Sequence, residues 1–78
     1  MQGFVGAGTK VVTKKRVVFK PRDHYTGPAI LPIGTVGMVM KFLGAGYGNA
    51  HYSVHFGPKY GVRHVHGNEL ELGKKGGN

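Results

Sequence analysis

Between residues 50 and 56 the chain alternates without a break. Tyr52, Val54 and Phe56 fall on one side, and His51, Ser53 and His55 on the other. Alternation of this period marks a strand with one buried face, and the apolar set is its predicted core side. Gly57-Pro58-Lys59-Tyr60-Gly61 turns the chain into a second strand, Val62–His66. A four-residue loop, a common hairpin length, sets His51 opposite His66, Tyr52 opposite Val65, Ser53 opposite His64, Val54 opposite Arg63 and His55 opposite Val62. A two-residue shift pairs His55 with His64 instead. Either register leaves His51, His55, His64 and His66 on one outer face, because a strand's side chains keep their side when the shift is even.

The remaining pattern is also that of strands. Residues 13–20 carry the β-formers Val17, Val18 and Phe19 behind the basic triplet Lys14-Lys15-Arg16, and Pro21 ends them. A long loop over 21–34 is punctuated by prolines and glycines yet holds Tyr25, Ile30, Leu31 and Ile33, so it is expected to fold over one end of the domain. The next strand runs over 35–43. Strict alternation puts Val36, Met38, Met40 and Phe42 on one face. A bulge at Gly37 is preferred, turning Val36 and Val39 inward and displacing Met38. Gly67-Asn68 makes a tight turn into a last strand, with Leu70 and Leu72 inward and Glu69 and Glu71 outward. The expected architecture is all-β: a five-stranded, mostly antiparallel SH3-like small barrel over 13–72, a flexible Gly-rich arm over 1–12 and a disordered basic tail over 73–78.

Charge changes the picture most. The 78 residues hold 11 Lys and Arg against three acids, Asp23, Glu69 and Glu71, for a net charge of +8. Such a balance points to an anionic partner: nucleic acid, an acidic protein or an anionic surface. With no cysteine there is no disulfide and no thiolate for zinc, which fits a reducing compartment. No apolar run is long enough to span a bilayer, and the first residues lack the charged start and apolar middle of a signal peptide. A cytoplasmic protein with no membrane partner is expected.

The order of elements is similar to that of SH3-like small barrels. Gly34-Thr35-Val36-Gly37-Met38-Val39 resembles the glycine-centred strand of KOW-type domains in ribosomal and transcription-elongation proteins. The distance from Val17 to Gly34 departs from that pattern, so the loop is an insertion or the family is another. A second resemblance is to the PsaE subunit of photosystem I and related ferredoxin-docking barrels. It rests on Lys20-Pro21-Arg22-Asp23-His24-Tyr25, Gly34-Thr35-Val36 and Asn68-Glu69-Leu70. These are scaffold residues, which carry fold better than function.

Candidate chemistry follows from the cations and aromatics. Lys14, Lys15 and Arg16, then Lys20 and Arg22, then Lys59 and Arg63 form three basic groups suited to phosphates or to an acidic partner. Arg63, on the nominal core face, is expected at the rim with its stem packed and its head in water. Tyr25, Tyr47 and Tyr60 fall in loops, where aromatics beside cations stack on single-stranded bases or cap the ends of the domain. The His51, His55, His64 and His66 face suggests a solvated strand surface that gains charge in mild acid, with zinc ligation the weaker reading. No metal or other cofactor is expected. Ser53, the only serine, lacks an acid placed to orient its histidine neighbours, so no enzyme is expected. The leading expectation is a non-enzymatic module that binds RNA or DNA. The alternative is a docking or inhibitory module, or a small subunit of a larger complex, that recognises an acidic protein.

Overall fold

The structure is a computed structural model that describes residues 4–20, 27–46 and 49–73. The strands are β1 (Lys10–Thr13), β2 (Val17–Phe19), β3 (Ala29–Leu31), β4 (Val36–Gly46), β5 (Asn49–His55), β6 (Val62–His66) and β7 (Leu70–Leu72), with one 3-10 turn, Gly67–Glu69, before β7. Five of them form an antiparallel sheet in the order β6-β5-β4-β1-β7, and β2 pairs with β3 in a separate hairpin. The all-β architecture agrees with the alternation. The sheet does not close into a barrel: β6 and β7 are its edges.

The β5–β6 hairpin has the register that a four-residue loop sets, from His51 opposite His66 to His55 opposite Val62. Beyond it the Phe56 N–H donates to Gly61 O at 2.9 Å. Tyr52, Val54, Phe56 and Val65 are buried, packed with Val11, Val39 and Leu70 on the inner face of the sheet and with Val17 and Leu31 of the β2–β3 hairpin.

Several expectations are corrected. The first strand is two: β1 starts at Lys10, inside the stretch read as an arm, and ends at Thr13, before Lys14-Lys15-Arg16 turn the chain into β2. Val11 in β1 is fully buried, and β1 lies between β4 and β7. Residues 29–31, read as loop, pair with β2. Leu72 pairs with the inward Val11 but is 57% exposed, so it is not the core residue the alternation predicts. Gly73, read as the first residue of the tail, is tied to β1, its N–H donating to Lys10 O at 2.9 Å, and residues 74–78 lie outside the described residues.

The largest correction concerns β4. Its pairing with β1 runs unbroken through Val36, Gly37 and Met38, so there is no bulge at Gly37. Gly37 points inward, and a Cβ there would sit 2.7 Å from both Phe56 Cδ1 and Val54 Cγ1. The glycine makes room for the packed Phe56 ring. Val36 consequently points outward and is half exposed. The register shifts come later, at Met40 and at Leu43. Each extra residue reverses the phase of alternation. Lys41 therefore opposes outward Ser53, and Phe42 opposes inward Tyr52.

Phe42 packs between Phe4 and Tyr52, with ring centroids 5.4 and 5.6 Å away. The Val5 N–H donates to the Tyr52 hydroxyl at 3.2 Å. Phe4 and Val5, read as part of a flexible arm, thus lie against the inner face, Val5 packed on the core and Phe4 on Phe42.

Candidate nucleic-acid interface

The outer face of the sheet is read in rows across the strands. Lys10, Met38, His55 and Val62 form one row over β1, β4, β5 and β6, and Lys41, Ser53 and His64 form the next. His51 and His66 complete the face beside Gly44. Met38, Met40 and Val62 are exposed there. The sequences of β4, β5 and β6 contain no carboxylate. Among the described residues the carboxylates are Glu69, bonded to the His66 main chain at the end of β6, and Glu71, beside Val12 on edge strand β7.

Three imidazoles converge on this face. His51 Nδ1 lies 3.1 Å from His64 Nε2, a hydrogen bond in which one ring donates and the other accepts. The His66 ring centroid is 4.3 Å from that of His51 and 6.1 Å from that of His64. They meet because cross-strand pairing sets His51 against His66, and the side-chain period returns His64 to the same face. His55 is not part of the group. It lies one row nearer the turn, where its Nδ1 accepts the Gly57 N–H at 3.1 Å. Among the described residues no three His, Cys, Asp or Glu side chains are arranged to hold a metal ion.

The basic turn is tied to this face through Glu69. The Lys14 N–H donates to the Glu69 carbonyl at 2.9 Å, while the Glu69 carboxylate accepts the His66 N–H at 2.9 Å. One residue therefore fixes both the start of the Lys14-Lys15-Arg16 turn and the end of the imidazole strand. The three cations of that turn are exposed, as are Lys20 at the end of β2 and Lys59 in the β5–β6 turn. The Lys59 ammonium stands 5.4 Å from the centroid of the half-buried Tyr60 ring. Arg22, Tyr25 and Tyr47 lie outside the described residues.

Arg63 is corrected. Its guanidinium is not in water: the residue is 5% exposed. Nε donates to Tyr60 O at 2.8 Å, a terminal nitrogen donates to Gly27 O, and the group stacks 4.9 Å from the Phe19 ring centroid. It fastens the β5–β6 turn to the β2–β3 hairpin.

The sequence pattern did not reveal Lys10 and Lys41. Lys10 fell in the stretch read as an arm. The phase of Lys41 depends on the bulge at Met40, which no glycine marks. Compared with known protein families, curated proteins and solved structures, the chain matches none.

Proposed function

We propose that this protein is a small non-enzymatic module that binds nucleic acid, RNA or DNA, on the outer face of β4–β6 and on the Lys14-Lys15-Arg16 turn. The observation that carries the reading is the outer face of three strands whose own sequences hold no carboxylate, set with Lys41 and three imidazoles and anchored through Glu69 to the exposed basic turn. Phosphates recruit such cations with release of condensed counterions, and a net charge of +8 steers a polyanion from a distance. The resemblance of the 34–39 stretch to the glycine-centred strand of KOW-type domains belongs with this reading. The missing cysteines fit a cytoplasmic setting.

A specific feature favours a second reading, docking to an acidic protein. Val36, Met38, Met40 and Val62 expose apolar side chains beside the cations, and flexible Met surfaces adapt to protein partners. Titration of labelled single- and double-stranded oligonucleotides at two salt concentrations separates the two. Binding that weakens steeply with salt supports the nucleic-acid reading. Absence of binding at low salt, with co-purification of one acidic protein that survives nuclease, supports docking.

A further inference from the structure

We propose that His51, His64 and His66 form a phosphate subsite that fills with uptake of protons, so that nucleic acid is held more tightly in mild acid. The inference rests on the nucleic-acid reading and adds to it the regulation of one part of the interface.

His51 Nδ1 and His64 Nε2 face each other at 3.1 Å, a separation that holds one proton and not two. In the neutral pair one ring donates to the other. A first added proton turns this into an imidazole–imidazolium hydrogen bond, the stronger, charge-assisted kind. A second would set N–H against N–H and break it. Full protonation makes both of these nitrogens N–H donors, which an anionic oxygen can accept. A phosphate oxygen does this, and its charge offsets the repulsion between the rings.

The surroundings agree. His66, its ring centroid 4.3 Å from that of His51, adds a further imidazole that becomes a double donor when protonated. Among the described residues the charged groups placed beside the cluster are Lys41, which shares its row across Ser53, and Glu69, from the 3-10 turn. The Glu69 carboxylate is engaged with the His66 main-chain N–H. Positive charges gathered on one face repel one another. An incoming anion reverses that balance, so binding and proton uptake are linked.

Oligo-deoxythymidylate is the probe, because its base does not titrate in the range used. Its dissociation constant is measured at fixed low ionic strength from about pH 8 to about pH 5.5, which brackets the ordinary histidine titration. For the wild-type protein the affinity should rise at least about tenfold across that range, since each proton taken up adds up to one decade per pH unit between the bound-state and free-state midpoints of its group. The gain should vanish in H51Q/H64Q/H66Q and persist in H55Q. In the unaltered protein the ring-proton NMR midpoints of His51, His64 and His66 should rise when the oligonucleotide is added, which keeps the test independent of how the triple variant folds. Inorganic phosphate in a parallel arm should raise the same midpoints if a free phosphate suffices, and leave them unmoved if the phosphodiester chain is required. Binding with the same pH profile in wild type and triple variant, or midpoints that the oligonucleotide does not move, overturns the subsite and leaves the nucleic-acid reading standing. Absence of binding at every pH overturns both.

Discussion

The Glu69 carboxylate accepts the main-chain N–H of His66 at 2.9 Å, and the same residue's carbonyl accepts the N–H of Lys14. The side-chain half of this clamp is removable. Glu69→Ala leaves the His66 N–H without its acceptor, a loss comparable to that of a helix cap, about 1 kcal/mol. Glu69→Gln keeps an acceptor oxygen and should lose less than half of that. Urea melts of the two variants check it. Equal losses would show that the carboxylate acts through its charge rather than through this hydrogen bond.

Gly37 should tolerate no side chain. A Cβ placed 2.7 Å from Phe56 Cδ1 and Val54 Cγ1 forces the core apart, and overpacking of this kind costs about 1–3 kcal/mol. Gly37→Ala should lower the urea midpoint and Gly37→Val should lower it further. Phe56→Leu combined with Gly37→Ala should recover part of the loss, because the shorter side chain vacates the space. A Gly37→Ala variant as stable as the wild type would contradict the packing.

Arg63 should matter for stability and not for binding. Arg63→Lys cannot reproduce the forked donation to Tyr60 O and Gly27 O, so two acceptors lose a charged donor, a change of about 2–4 kcal/mol. Where Arg63→Lys remains folded, its affinity for an oligonucleotide should equal that of the wild type. A folded variant that binds more weakly would return Arg63 to the interface.

At the other end of the inner face, Tyr52→Phe removes the acceptor of the Val5 N–H and should cost about 1 kcal/mol. Phe4→Ala removes the aromatic packing on Phe42 and should cost a similar amount. Combining the two should be less than additive, since both release the same segment. Thermal melts of the two variants and the pair test this; strict additivity would mean that Phe4 and Val5 are held independently.

These cases show what the pattern of the chain made readable. The β5–β6 hairpin was legible because its alternation is unbroken and its loop is bounded by Gly57 and Gly61, so pairing followed from loop length. The imidazole face was legible for the same reason. β4 was not, because its register shifts fall at Met40 and Leu43, which have no local preference for a bulge, while Gly37 is required by Phe56, a residue 19 positions away in sequence. The division of β1 from β2 was hidden because Lys14-Lys15-Arg16 interrupts the apolar pattern without a glycine or proline. The place of Arg63 depends on Gly27 and Phe19, neighbours that no local periodicity announces.

For the interface, the exposed cations divide the work. Lys41→Glu, on the outer face, and a Lys14→Glu/Lys15→Glu pair, in the basic turn, should each weaken oligonucleotide binding and flatten its salt dependence. The slope should fall by roughly one for each phosphate that is no longer neutralised. Lys59→Glu, at the β5–β6 turn, should do less.

The central claim is tested most directly by adding a single-stranded oligonucleotide at low salt to isotope-labelled protein and following the backbone amide signals. The expected shifts concentrate at Lys41, His51, Ser53, His64 and His66 and in the Lys14-Lys15-Arg16 turn, with the buried Val11, Val39 and Leu70 little changed. Spectra that do not move at low salt, or shifts centred on the β2–β3 hairpin instead, would contradict it.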